Sequence, residues 1–355
     1  MAAIVPPRML IWAARWPTDT DRSVLTADRL SSAALVVGVV ALGLIGDEGA
    51  ERAGWWLFVI SLLVLGMPHG GLDLLLARRL TRSSPVRWRE VIGLYLAIMS
   101  AAGLTLWVAP TWTLVAFGGL TAVHFGFADQ RDALERELGR PVAGLRSPTM
   151  LAGGIGRGLF MIGLPLALDA AGVLATLGDA QRMLGVTAPI PATDATVIVG
   201  WASVWLGMLL VAAAVALAPT ARRRALRAKR HLVEGAVLAT AAWALPAIAY
   251  VSLYFVLWHS VRHFARVMRL ESVSEQAASA VGRGGWIGTV ARLHLWSLPL
   301  AVPVVLALLL IGGPGLGLQT AREWATLVLL SFVVLTPAHH LLIEWAYARS
   351  EAGDV

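Results

Sequence analysis

Long apolar runs separated by short polar connections make up almost the whole chain. A helix that crosses the hydrocarbon core of a membrane needs about 20 apolar residues, and most of these runs reach that length. No repeat of fixed period is visible, and no polar linker is long enough to hold a soluble domain. The pattern predicts a single integral membrane domain over residues 1–355, an all-α bundle of transmembrane helices. The runs lie at 31–46, 54–77, 91–109, 111–128, 149–176, 196–218, 232–266, 289–311 and 323–346.

The composition supports the membrane interpretation. Hydrophobic residues make up 57% of the 355 residues and charged residues only 14%, against about 45–50% and about 25% in soluble proteins. Cysteine is absent, which excludes a disulfide scaffold, an iron–sulfur cluster, a thiolate-bound haem and a cysteine nucleophile. The net charge of +7 does not indicate nucleic-acid binding, because the basic residues occur in short clusters between the apolar runs.

Four clusters of arginine and lysine predict the orientation in the membrane. Connections rich in these residues stay on the cytoplasmic side, whereas the connections between the clusters carry almost no positive charge. We therefore expect a cytoplasmic N-terminal arm at 1–30, without a removable signal peptide, in a protein of the cell inner (plasma) membrane. The clusters lie at 8–29, 78–89, 131–146 and 222–230.

The run at 232–266 is too long for one simple crossing. As one straight helix it would be about 52 Å long, against a hydrocarbon core of about 30 Å. A single crossing would also place the basic stretch that starts at Arg266 outside the cell. Because a proline pushes the residue before it out of helical geometry, we expect a break and a fold-back near Pro246. The bundle would then have about ten membrane segments, with nine simple crossings as the alternative.

Four of the eight histidines are candidates for a metal site. His69 follows a proline within a glycine-rich break, and His124 lies at the cytoplasmic end of a span. His259 and His263 are four residues apart, so they share one helical face. With the fold-back, all four lie at a similar depth near the cytoplasmic face. Intramembrane imidazoles by default mark a functional site, and four neutral imidazoles suit a divalent first-row metal such as iron, with zinc or copper also compatible.

Two acidic residues follow the first two candidate ligands closely. Asp73 lies one turn beyond His69, and Asp129 lies just beyond His124. Carboxylates behind metal-bound histidines commonly orient the imidazole rings. We expect this role for both residues, with helix-end acids facing the neighbouring arginines as the equally ranked alternative.

The final apolar run contributes a further group of polar residues. Adjacent residues on a helix point about 100° apart, so at most one of His339 and His340 is expected to face the site easily. We expect His339 and Glu344 to support the metal ligands or line the substrate pocket, with a purely structural role as a nearly equal alternative. Glu344, four residues after His340, is a candidate partner for it. His231 and His294 fit an interfacial role better than a metal site.

Four aromatic residues precede the histidine pair within three helical turns. They can line a slot for a long apolar substrate, and packing within the membrane explains them about equally well. The residues are Tyr250, Tyr254, Phe255 and Trp258.

Taken together, these motifs resemble the Brp/Blh-type β-carotene 15,15′-dioxygenase family from about residue 50 to residue 347. Members of that family are membrane proteins that use non-haem iron and O2 to split β-carotene into two retinals, often supplying a microbial rhodopsin. The resemblance implies Fe(2+) as cofactor, held by His69, His124, His259 and His263. It is carried by Gly66-Met67-Pro68-His69-Gly70-Gly71-Leu72-Asp73, by His124-Phe125-Gly126 with Asp129, by the His259/His263 pair, and by Pro337 with His339.

Two other classes of protein also use intramembrane histidines. A membrane di-iron desaturase or hydroxylase needs HxxHH-type clusters, and the one adjacent pair in this chain lacks an upstream partner at that spacing. A non-enzymatic haem- or metal-binding membrane protein is the third hypothesis.

Overall fold

The structure is a computed structural model, and the elements formed by its described residues are helical. It describes residues 18–61, 73, 76–78, 81, 86–138, 142, 147–186, 190–262, 295, 298 and 302–351. The helices are α1 (Thr18–Leu44), α2 (Gly46–Ser61), α3 (Trp88–Val108), α4 (Pro110–Leu138), α5 (Pro148–Leu168), α6 (Ala170–Met183), α7 (Thr193–Ala216), α8 (Ala221–Ala244), α9 (Ala247–Leu253, continued by a π-helical segment at Tyr254–Ser260), α10 (Val302–Gly315) and α11 (Ala321–Glu351).

Five of the described helices are long and apolar enough to cross a membrane, namely α3, α4, α5, α7 and α11. Large apolar side chains are exposed on the outside of the bundle, as Leu94 and Trp107 are on α3 and Leu209 is on α7. Such an apolar surface is suited to contact with the hydrocarbon of a membrane. These features confirm the predicted all-α membrane bundle. The total of nine or ten membrane segments stays a prediction, because 62–72 and 263–294 lie outside the described residues.

The chain reverses its direction at Pro246. Helix α8 ends at Ala244, Leu245 is extended (φ −133°, ψ 146°), and α9 begins directly after the proline. The guanidinium Nη1 of Arg262 then lies 3.4 Å from Oε1 of Glu234, although the two residues are 28 positions apart. One straight helix would separate them by about 42 Å. This contact confirms the predicted fold-back.

One half-buried carboxylate fixes the start of two helices near this reversal. Asp169 Oδ1 accepts a hydrogen bond from the backbone N–H of Gly172 at 3.0 Å, in the first turn of α6. Its Oδ2 accepts one from the backbone N–H of Ala247 at 2.8 Å, at the start of α9. Free N–H groups at a helix start need such acceptors. Asp169 therefore ties the position of α9 to that of α6.

Helices α4, α5 and α7 pack with their backbones almost in contact. A Cβ atom added at Gly158 on α5 would lie 1.9 Å from the carbonyl oxygen of Ala122 on α4, and one added at Gly126 would lie 2.1 Å from that of Gly154. At Gly207 on α7 it would lie 2.6 Å from a carbonyl oxygen of α5. Small residues at helix interfaces allow this close approach in membranes, where van der Waals packing drives association. The approach fixes α4, and with it the position of His124.

We expect Gly158→Ala to destabilise the bundle, because the new methyl group meets backbone atoms that cannot move aside. The midpoint of thermal unfolding in detergent should fall by an amount equivalent to about 1–3 kcal/mol or more. The matched control is Gly119→Ala on α4, where an added Cβ meets no described atom within 4 Å. That control should leave the midpoint unchanged or raise it. Equal midpoints for the two variants would contradict the close packing.

Candidate metal centre

Four imidazole rings from three helices meet inside the bundle. His124 comes from α4, His259 from the π-helical segment after α9, and His339 and His340 from α11. The ring centres of His259, His339 and His340 lie 5.2, 5.5 and 5.2 Å from the ring centre of His124. We call these four residues the imidazole cluster. Of the predicted ligands, the structure thus brings His124 and His259 together.

The position of His259 depends on an irregular stretch of helix. Residues Tyr254–Ser260 wind as a π-helix, whose wider turn shifts the following side chains around the axis relative to an α-helix. Such segments are rare and occur frequently at functional sites. His259 ends up only 1% exposed, with its ring centre 4.2 Å from that of Phe125. The other two predicted ligands, His263 and His69, lie outside the described residues, as does His294, for which an interfacial role is predicted.

Both adjacent histidines of α11 reach the cluster. Nδ1 of His340 lies 3.1 Å from Nδ1 of His124, and the His339 ring approaches the same imidazole at an interplanar angle of 70°. The expectation that at most one of them faces the site easily is therefore wrong. The two side chains diverge by about 100° around the helix, and the single His124 ring lies within reach of both.

Asp73 and His339 bond to each other. Nδ1 of His339 lies 3.0 and 2.9 Å from the two carboxylate oxygens of Asp73. The hydroxyl of Tyr95 on α3 donates a hydrogen bond to Oδ2 of the same carboxylate at 2.8 Å. Both acid and imidazole are buried. Two residues that the sequence marks as supporting the metal site therefore form one unit.

The ring spacing of the imidazole cluster resembles that of imidazoles bound to one metal ion. Metal–nitrogen bonds of about 2.1 Å place the ring centres of two imidazoles on one ion about 5 Å apart, close to the separations observed. Neutral imidazole nitrogens suit first-row divalent ions. Among the residues that the structure describes, no three His, Asp or Glu side chains already converge as a metal site. His69 and His263 lie outside those residues.

Comparison with known proteins assigns the chain to a family. The family model described as beta-carotene 15,15′-dioxygenase matches residues 60–347. The chain belongs to the β-carotene 15,15′-dioxygenase family. It is therefore an oxidoreductase of the dioxygenase class, which argues against the desaturase and the non-enzymatic alternatives.

A curated relative agrees with this assignment. A protein of Halobacterium salinarum, described as the probable beta-carotene 15,15′-dioxygenase Blh, is 29% identical over 351 residues. The match covers 92% of this chain and 94% of that protein. No solved structure matches the chain. The resemblance noted from the sequence motifs is confirmed at the level of the family.

A second buried acid of the enzyme, Asp129, accepts hydrogen bonds from the π-helical segment. Oδ2 of Asp129 accepts hydrogen bonds from the hydroxyl of Tyr254 and from Nε1 of Trp258, both at 3.0 Å. Tyr250 contributes a longer hydrogen bond, 3.3 Å, to the carbonyl oxygen of Met161. The polar ends of three residues proposed to line the substrate thus bind protein groups. Their contact with a substrate stays a prediction, as does a role of Asp129 at the metal.

Glu344 has a different partner from the one that its spacing suggests. Its two carboxylate oxygens accept hydrogen bonds from Nη1 and Nη2 of Arg131 at 3.0 and 2.6 Å, so the acid pairs with this arginine. The guanidinium also lies over the ring of Tyr347, 4.0 Å from its centre. This pairing joins α4 to α11 beyond the histidines and holds together the two helices that carry His124 and His340.

His231 lies in a separate polar network. Its Nδ1 is 2.8 Å from Nη2 of Arg157, and Nη1 of that arginine is 2.8 Å from Glu234. Arg262 completes the network through Glu234 and stacks over the ring of Trp258, 3.5 Å from the centre. The network therefore packs against the back of the segment that carries His259.

An aromatic row extends from the imidazole cluster into the apolar part of the bundle. Phe255 lies 6.1 Å from His259 and 5.4 Å from Phe332, between ring centres. Phe332 in turn lies 6.0 Å from Phe58 on α2. Phe125 lies at the end of the row next to the imidazole cluster, with its ring centre 6.1 Å from that of Phe255. We call Phe125, Phe255, Phe332 and Phe58 the aromatic row.

Sequence reasoning missed several of these residues. Arg131 follows His124 by seven positions and so shares its helical face, a signal that predicts its proximity to the site. Tyr95 is the one tyrosine of the apolar run 91–109, and its hydroxyl needs a partner when buried. Phe332 and Phe58 carry no such signal, because phenylalanine is common throughout apolar spans.

Proposed function

We propose that this enzyme cleaves the central 15,15′ double bond of β-carotene with O2 to give two molecules of all-trans-retinal. The observation that carries the proposal is the buried imidazole cluster beside the aromatic row, within a chain of the β-carotene 15,15′-dioxygenase family. The cluster provides donors for a metal, and the row provides an apolar surface for a polyene. The retinal formed is a suitable chromophore to be passed on to a microbial rhodopsin.

The proposed cofactor is ferrous iron, held by His124 and His259 together with His69 and His263. Non-haem iron supplies the one-electron chemistry that lets ground-state O2 react with a hydrocarbon. Neutral imidazoles do not cancel the charge of the ion. Phe125 and the π-helical segment bury His124 and His259, which keeps reactive species at these two residues away from solvent.

The protein residues select the bond that is cut. A carotenoid dissolves in the bilayer, so we propose that it enters the bundle sideways from the lipid. Phe255, Phe332 and Phe58 then hold one half of the polyene by apolar and π contacts. Holding the chain in one register places its central double bond beside the imidazole cluster. Positioning of this kind is needed because the double bonds of a conjugated polyene are chemically similar.

Expression in a β-carotene-producing bacterium tests the proposed reaction. Cells that make the protein should lose their orange colour and accumulate retinal. His259→Ala should retain the colour, with cleavage reduced more than about 100-fold, beyond the effect of residues behind the metal ligands. His231→Gln is the matched histidine control and should cleave at the wild-type rate. Unchanged carotenoid in cells with well-expressed, iron-loaded protein would refute the proposed reaction. Retained cleavage by His259→Ala would show that His259 is not a ligand of the iron.

We expect Phe332→Leu to loosen the register of the polyene, since the row then loses one aromatic contact. Chromatography of the products should show a lower rate of retinal formation and a larger share of unequal fragments. Phe117→Leu is the control, because Phe117 on α4 packs against a different apolar cluster that includes Leu106 and Leu330. Identical product patterns for both variants would show that the row does not hold the substrate.

We further propose a plasma-membrane location with a cytoplasmic N-terminus, supported by the basic clusters of the sequence. The two ends of α7 offer a direct test. Pro219 follows this helix and precedes three arginines, whereas Ala192 precedes it, and both residues are exposed.

Single cysteines report on this orientation clearly, because the chain contains no other thiol. A membrane-impermeant maleimide should label Ala192→Cys in intact cells. It should label Pro219→Cys only after the cells are permeabilised. The reverse pattern would invert the proposed topology.

A further inference from the structure

The unit formed by Asp73, His339 and Tyr95 has the arrangement typical of a metal-bound histidine. Such histidines almost always give their second ring N–H to a carboxylate or a carbonyl group. In this protein both oxygens of Asp73 lie within 3.0 Å of Nδ1 of His339. Tyr95 fixes the carboxylate from the other side. The acid, the imidazole and the phenol come from three separated parts of the chain.

These contacts determine which ring nitrogen of His339 can bind an ion. Asp73 accepts a hydrogen bond from the proton on Nδ1, so in the neutral imidazole the lone pair lies on Nε2. A ligand nitrogen needs this lone pair. The carboxylate also increases the electron density on the ring, which strengthens a bond from Nε2 to a cation.

The distance to His124 is appropriate for two ligands of one ion. The ring centres of His339 and His124 lie 5.5 Å apart, near the separation of about 5 Å that ordinary metal–nitrogen bonds impose. His124 belongs to the set already proposed to hold iron. The same ion is therefore within reach of His339.

We propose that His339 is a further ligand of the metal, through Nε2, and that Asp73 and Tyr95 are positioning residues for it. This inference rests on the proposed function, because it concerns the same ion. It assigns a fifth protein nitrogen to the metal and gives Asp73 a partner other than His69.

Metal binding to purified protein tests the inference without measuring turnover. The protein in detergent is loaded with Co(2+) in place of iron, the visible d–d spectrum is recorded, and the affinity is measured by competition with a chelator. His339→Gln should weaken binding about 100-fold and alter the d–d bands. Asp73→Asn should weaken it about 10-fold, and Tyr95→Phe should weaken it less, with the band positions close to those of the wild type. His231→Gln, at a half-buried histidine bonded to Arg157, is the control and should match the wild type.

The outcomes separate this inference from the proposed function. Wild-type affinity and spectrum in His339→Gln would overturn the ligand assignment and leave the dioxygenase proposal intact. A wild-type protein that binds neither Co(2+) nor Fe(2+) would overturn both. If His339→Gln does not fold, Asp73→Asn decides the question, because unchanged affinity in that variant contradicts the proposed unit. Restoration of the d–d bands by added imidazole in His339→Gly would support it directly.

Discussion

A polar side chain can lie inside a membrane bundle only where another polar group or an ion meets it, because hydrocarbon offers no hydrogen bonds. This constraint accounts for most of the interior of the structure. The imidazole of His339 meets the carboxylate of Asp73, and Asp129 meets Tyr254 and Trp258. Each acid is therefore satisfied within the protein. The imidazole rings gather at the centre, where a cation bound to their nitrogens would satisfy the same constraint.

The backbone places these partners by two simple devices. Glycines let α4, α5 and α7 approach until their backbones touch, which fixes the helix that carries His124. The reversal at Pro246 returns the chain into the bundle, and the π-helical segment after α9 then turns His259 toward His124. Asp169 anchors the start of that returning helix. A local break and a few small residues thus produce a contact between distant parts of the sequence.

The sequence predicts those features that depend on local physics or on recognisable motifs. The break at Pro246, the membrane class and the approach of His124 to His259 follow from proline geometry, hydropathy and histidine spacing. The sequence does not predict which acid meets which partner. Asp129, Glu344 and Asp73 each bind a group whose position depends on how the helices are rotated, and a single extra residue in a π-turn changes that rotation. The roles of both His339 and His340 depend on the same rotation.

The central claim is that imidazoles from separate helices hold one iron ion within the bundle. X-ray absorption at the iron edge of the purified, iron-loaded protein measures this most directly. The account predicts one iron per chain, first-neighbour distances of about 2.1 Å to nitrogen or oxygen only, and outer-shell scattering from at least four imidazole rings. Iron bound at much less than one per chain, or bound with scattering from fewer than two imidazoles, would contradict it.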